Sequence, residues 1–451
     1  MLDVLLVKLN YEPVLSGDRE FDLGTAYLAA VLRRAGLTVR IIDASLEELS
    51  YRDTVAQILS APARIIGLSV WLHRLVAVSE RMIADLRRRG VKSHITVGSH
   101  SPTFLYAELL KHNSELDSVV CGEGEWTLLE LAERVIRGQA WTDVLGLAVR
   151  KEAGVSLQVR PAVCQLDDLP PPALDYLPYV KQRGQFMSIL TSRGCYGRCT
   201  FCSTSPFYRN GGGKPWRAHS PERVLAEIVS LYDQGMRHFG WRDDNFIGPG
   251  QVGRERAQRI AELIIEAKLD VSFYIACRVN DIDRELFTLL QRAGLKRVFL
   301  GVESLAQSRL DAFHKQVTVA DNMRAMHMLG DLNVPYTLGY IMLSPDTTWQ
   351  EYRESSSRLS DAQRTISGAA DGVQDMYSAV EVLPGTTLAT ELRSMGLLLG
   401  DHRGYTYRLT DARVRLLYKA ISLLRALGRP LGRLAAEQAR KDRRREMRGT
   451  E

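Results

Sequence analysis

Over the first ~150 residues, short apolar runs alternate with stretches of helical spacing, which predicts a parallel sheet with helices on both faces. Val4–Lys8 has the length and character of a strand. Thr25–Ala35 places its apolar positions at helical intervals and stops at Gly36, a residue suited to the left-handed helix cap. Further strands fall at Val39–Ile42 (closed by Asp43), Ile65–Val70, Ile95–Val97 and Val119–Cys121, each followed by a helix-compatible stretch. Residues 151–184 break the rhythm. The run Leu166-Asp167-Asp168-Leu169-Pro170-Pro171-Pro172 cannot pair in a central sheet, since successive prolines lack N–H donors, and it reads as a connector. Alternation resumes at Gln185 with the spacing of a partial (β/α)6 barrel and lasts to about residue 395. The expected fold class is α/β: a doubly wound Rossmann-like domain over 1–150, a Pro-rich linker over 151–184, a TIM-like partial barrel over 185–395 and a short helical region over 396–451.

Asp43, at the end of the second strand, has the place of the ribose-binding acid of a dinucleotide fold. The turn after the first strand is Leu9-Asn10-Tyr11-Glu12-Pro13, which lacks the glycine fingerprint that such binding needs. Nicotinamide and flavin are therefore not expected. At 451 residues, 45% apolar and 25% charged, the chain has the composition of a soluble globular protein of two or three domains. No apolar run reaches membrane-span length, and the strand-like start is not a signal peptide. The net charge of +6 is matched by the excess of Lys and Arg over acids between Arg425 and Arg448 alone. That run reads as a solvated helix end, since no aromatic residues interleave it to stack on bases, and nucleic acid is not an expected partner.

The densest chemistry lies at Cys195-x-x-x-Cys199-x-x-Cys202, directly after the strand-like run Phe186–Leu190. Three thiolates can hold three corners of a four-iron cluster and leave the fourth iron open to a small molecule. A zinc knuckle is the alternative, but structural zinc takes four protein ligands from paired motifs. No second pair follows here: Cys121, Cys164 and Cys277 stand apart, and His219 has no companion motif. A disulfide framework does not suit a long chain without a secretion signal.

This spacing, with Phe201 just before the third cysteine, resembles the radical S-adenosylmethionine (SAM) superfamily. The resemblance implies a [4Fe-4S] cluster on Cys195, Cys199 and Cys202 whose open iron is chelated by SAM. It also implies reductive cleavage of SAM to a 5′-deoxyadenosyl radical, an external electron donor such as flavodoxin or ferredoxin, and a cytoplasmic location. Phe21-Asp22-Leu23-Gly24, Val97-Gly98-Ser99-His100 and Cys121-Gly122-Glu123-Gly124-Glu125 resemble the cobalamin-binding domain that precedes some radical SAM cores. Glycines at strand ends let a flat, bulky cofactor approach the sheet. The departures are Trp71-Leu72-His73-Arg74, where a buried nucleotide tail favours small residues, and a fourth strand ending in Gly-Ser-His. The domain is either a working cobalamin site or a retained scaffold, and His73 and His100 read as loop hydrogen-bonders rather than metal ligands.

Further site residues follow from the same resemblance, at the strand ends where barrel chemistry sits. Asp243, Asp244 and Asn245 lie where the superfamily meets the methionyl ammonium, whose three donors need acceptors. Arg278 is the candidate partner of the SAM carboxylate or ribose, and Glu303 with Ser304 forms the ribose-contacting end of Gly-x-Glu-Ser. Tyr336–Leu343, leading to Ser344, resembles the adenine-binding strand. Tyr208, Glu381 and Tyr377 are candidate contacts for a small-molecule substrate, and Lys315 stands beside Tyr208 as another.

The implied shared step is hydrogen abstraction from an unactivated carbon. After a ~150-residue first domain and a ~200-residue core, only about sixty residues remain, fewer than the larger methylating relatives carry. That, with the bulky third-strand loop, sets the expectation of dehydration or deoxygenation of a sugar-like natural-product intermediate, with cobalamin-dependent C-methylation as the alternative. A transfer-RNA methylthiolating enzyme would need three more cysteines in its first domain, and an electron carrier would normally fill the fourth iron site with cysteine.

Overall fold

The computed structural model describes residues 1–10, 21–366, 369–373 and 378–424. Its first sheet has seven strands: β1 (Leu2–Lys8), β2 (Val39–Asp43), β3 (Ala63–Ser69), β4 (His94–Gly98), β5 (Ser118–Val120), β6 (Leu147–Lys151) and β7 (Gly154–Leu157). The order is β2-β1-β3-β4-β5-β6-β7, with β1 to β5 parallel and β6–β7 an antiparallel hairpin on the edge. Val4, Leu5, Leu6 and Val7 are all buried, because alternate residues of a strand covered on both faces enter two cores. Leu5 and Val7 pack with Val55, Ile58, Val76 and Leu105 on one side, while Val4 and Leu6 pack with Ala29, Leu32, Leu128 and Leu131 on the other. Strand order reverses at β1 and β3, the switch point that opens a crevice outside the strands' carboxyl ends.

Helix starts obey local chemistry. Asp22 accepts from the Thr25 backbone N–H at 3.0 Å and starts the helix Leu23–Arg34, while Ser50 caps Tyr51–Ser60. The sheet continues past residue 150 through β7. Beyond it, the Pro-rich stretch holds a 3-10 turn at Leu166–Asp168 and a helix at Leu177–Gln182. Its Leu166, Leu169, Leu177 and Val180 share one buried cluster with Phe21, Ala26 and Tyr27 of the first domain and Ile228 of the second. The connector is a packed clamp.

The second sheet supplies the partial barrel: β8 (Met187–Ile189), β11 (His238–Trp241), β12 (Ser272–Arg278), β13 (Leu295–Glu303), β14 (Tyr336–Tyr340) and β15 (Ala369–Val373), all parallel and in consecutive order. Trp241 stacks on Phe273 with centroids 4.2 Å apart, next to Phe246. A separate antiparallel pair, β9 (Ser192–Gly194) with β10 (Trp216–Ala218), brackets the cysteine loop in sequence. After the core, β16 (Leu398–Asp401) and β17 (Gly404–Tyr407) form a hairpin ahead of a helix over 412–424, where only helix was expected. His402 in its turn meets Glu80 at 2.8 Å, and its carbonyl accepts from His73 Nε2 at 3.0 Å. Among the described residues no helix is long and apolar enough to cross a membrane.

Candidate active site

Cys195, Cys199 and Cys202 are half-buried on the loop that leaves β9. Gly197 donates its N–H to Cys195 Sγ at 3.4 Å, and Arg278 Nη1 faces Cys199 Sγ at 3.7 Å. A Cβ on Gly197 would stand 2.4 Å from that guanidinium, so a side chain at residue 197 would have to push Arg278 away from the loop. Phe201 packs edge-on against Phe313 with centroids 5.1 Å apart and anchors the far end. Burial pushes the Cys202 thiol up to about 11 and raises Cys195 as well. Such thiols become thiolates at neutral pH when a metal supplies the missing positive charge. Among the described residues no three His, Cys, Asp or Glu side chains gather closely enough to hold one ion. An iron–sulfur cube fits this donor set better than zinc, since its three thiolates bind three different irons and stand wider apart.

The turn after β11 surrounds this loop with acids. Asp243 points inward: its Oδ1 accepts from Thr191 N at 3.0 Å, Thr191 Oγ1 at 3.1 Å, Ser192 Oγ at 2.6 Å and the Ser192 N–H. Its Oδ2 is buried with no hydrogen-bond partner among the described residues, and burial pushes the carboxyl up to about 6. Asp244 takes Gly194 N–H at 3.1 Å and Thr204 Oγ1 at 3.1 Å, yet opens into a cavity; enclosure by protein raises its carboxyl too. Asn245 is fully buried and braces the turn through Asp281 and Gly248.

Arg278, Lys315 and Glu303 link the cluster loop to the barrel mouth. Arg278 Nη2 donates to the Lys315 carbonyl, and Lys315 Nζ meets Glu303 Oε1 at 2.8 Å. Glu303 sits at φ 64° where the β13–β14 register shifts, a local irregularity that re-aims the side chain. Ser304 is buried and accepts from the Ala306 N–H at 3.2 Å, so its hydroxyl caps the next turn.

The cavity beside Asp244 measures about 450 Å³ and runs back to the carboxyl edge of the first sheet. Gly67, Gly98 and Gly124 line its depth with Leu6, Leu28 and Leu128; Tyr208 and Arg242 line it from the barrel side. A Cβ on Gly124 would come within 3.2 Å of Val120 Cγ1 and 3.3 Å of Leu28 Cδ2. These small residues open a slot beside the sheet for a large cofactor. Trp71 lies at the cavity's edge, 46% exposed, while His73 turns away toward the C-terminal hairpin. His100 stacks on Phe207 at 4.0 Å, and burial lowers it to about 4, so the imidazole stays neutral.

Of the three candidate substrate contacts, Tyr208 alone lines this cavity. Glu381 is exposed and stands outside its lining. Tyr377 lies outside the described residues. Sequence reasoning missed Arg193 and Arg217, which carry buried charge to Glu123 and Glu125 in the wall. An arginine in the Ser-Arg-Gly step directly before the first cysteine was the available signal.

The radical SAM superfamily profile matches residues 189–359, and that of the B12 binding domain matches residues 16–132. An uncharacterized methyltransferase of Pyrococcus horikoshii is 30% identical over 335 residues, covering 73% of this chain and 71% of that protein. The chain belongs to the radical SAM superfamily, in the branch with a cobalamin-binding domain. Its cofactors are a [4Fe-4S] cluster and SAM with cobalamin, the set that the half-buried thiols and glycine-lined slot fit. A second relative, the 4′-phospho-dehydrooxetanocin synthase of Priestia megaterium, is 27% identical across 71% of this chain but only 46% of its own length. The cobalamin-dependent radical SAM enzyme OxsB, solved with aqua-cobalamin and SAM, shares the fold at a TM-score of 0.80 and 22% identity, over 94% of this chain and 66% of that one. The radical SAM chain here thus spans about half to two thirds of some relatives' length.

Proposed function

We propose that this radical SAM enzyme methylates an unactivated carbon of a polar small molecule, using cobalamin and an external one-electron donor of the flavodoxin or ferredoxin class. The observation that carries this reading is one continuous cavity from the glycine-lined sheet edge to Asp244 beside the cysteine loop. When bound, the cluster supplies an electron to the SAM sulfonium and the corrinoid carries a methyl group. Asp244, open to the cavity, accepts from the SAM ammonium, while the inward-turned Asp243 holds the loop in place. Arg278 sets a positive charge against Cys199, and Glu303 accepts from ribose hydroxyls at the barrel mouth. Burial raises the Tyr208 phenol further above its ordinary range, so at the cavity it stays protonated, donates a hydrogen bond and does not act as a base. The relative named a methyltransferase supports the same choice.

Dehydration or deoxygenation is the second reading, kept because not every relative is named a methyltransferase. There a protonated Tyr208 beside the Asp244 carboxyl would assist loss of hydroxide. SAM labelled in its methyl group separates the two on cobalamin-loaded protein with a panel of sugar-like substrates. Methylation puts the label in the product and yields S-adenosylhomocysteine alongside 5′-deoxyadenosine. Label confined to methionine, with a product that has lost water, overturns methylation in favour of dehydration.

A further inference from the structure

Four buried charges cross the boundary between the two domains, and three of them, Glu123, Glu125 and Arg193, line the cavity. Arg193 Nη1 meets Glu123 Oε1 at 2.8 Å and its Nη2 meets Glu125 Oε1 at 2.6 Å. Arg217, opposite Arg193 in the β9–β10 pair, meets Glu123 Oε2 at 2.8 Å. All four side chains are 5–8% exposed. Burial alone would push the Glu123 carboxyl up; Arg193 and Arg217 outweigh it and hold the carboxyl down. Glu123 lies in the turn after β5 and Glu125 opens the helix that follows, while Arg193 sits two residues before Cys195.

We propose that Arg193 is a positioning residue that couples occupancy of the sheet-edge cavity to the cluster loop, an inference resting on the reading that this cavity takes a corrinoid. Glu123, Glu125, Arg193 and Asp244 all line the cavity, so an occupant bears on both ends of the brace. The segment between brace and cysteine has no slack. Asp243 grips Ser192 by its N–H and hydroxyl, Asp244 grips the Gly194 N–H, and Gly194 at φ +87° lies hard against the Pro215 carbonyl. A shift of the Glu123–Glu125 turn is therefore transmitted to Cys195. Arginine suits the role because one rigid plane reaches two carboxylates, whereas a lysine is a single point charge. Replacing it with a neutral residue would strand buried carboxylates, so the informative change keeps the charge.

The test uses the full chain with its cluster reconstituted anaerobically and no substrate. Hydroxocobalamin affinity is titrated by absorbance with and without SAM, and SAM affinity with and without hydroxocobalamin. Wild type is expected to show a mutual change of about tenfold, equal in both directions by linkage. In Arg193→Lys the factor falls toward one with iron content retained; the factor is a ratio, so a weaker affinity for either ligand alone does not mimic that fall. Glu125→Gln, which leaves the Arg193–Glu123 contact intact, gives the same direction if the lysine variant fails to fold. Unchanged coupling in the variants, or none in wild type that binds both ligands, overturns the inference alone. Wild type that binds no corrinoid overturns the underlying reading as well.

Discussion

Cys199→Ala is expected to bring 5′-deoxyadenosine formation down to background and to leave the reconstituted chain with little iron. Each thiolate serves a separate iron, so losing one breaks the arrangement in which a single iron is left open for SAM. Cys199 carries a second burden, because its sulfur faces Arg278 Nη1 at 3.7 Å. Arg278 is itself 5% exposed, and removing the thiolate takes away an anionic partner that its buried charge would have in the cluster-bound state. Iron and sulfide assays with chromatography of the nucleoside products check this. Deoxyadenosine formed at the wild-type rate would show that the cluster is held elsewhere.

Gly194→Ala is expected to be almost as damaging without touching a ligand. Residue 194 has φ +87°, and a Cβ there would stand 2.0 Å from the Pro215 carbonyl oxygen and 3.1 Å from Tyr208 Cδ2. The left-handed backbone alone costs an alanine roughly 1–2 kcal/mol. The overlap is with backbone, so no rotamer relieves it, and the Gly194–Trp216 pairing must open. Opening it displaces the next residue, Cys195. Destabilisation of about 2 kcal/mol or more is expected, with a lower thermal midpoint and poor cluster retention. Gly212→Ala is the control: φ is +71° there with nothing within 4 Å, so backbone strain arises without overlap. Equal effects of the two substitutions would refute the steric argument.

Both effects concern features of unequal visibility in the sequence. The cysteine loop was legible because its three ligands lie within eight residues and follow a strand of ordinary apolar character. The Rossmann-like and barrel domains were legible because strands buried on both faces read as unbroken apolar runs. Arg193 with Glu123 and Glu125 was not, since about 70 residues separate them and pairing across domains leaves no periodicity. Which of Asp243 and Asp244 faces the cavity depends on the path of a turn, so adjacent acids looked alike. A bulky Trp71 in the third-strand loop does not by itself close the slot, since the side chain is 46% exposed and Gly67 and Gly98 share the lining with it. The β16–β17 hairpin escaped notice because its strands are four residues each and partly polar.

The most direct measurement is the electron paramagnetic resonance spectrum of the reduced, anaerobically reconstituted chain, recorded before and after adding SAM, with corrinoid retained through gel filtration scored on the same sample. An iron left open by three thiolates beside a corrinoid cavity predicts about four irons per chain, a spectrum that changes on SAM addition, and hydroxocobalamin that co-elutes. Bound zinc, a cluster signal indifferent to SAM, or corrinoid eluting free of the protein would contradict that account.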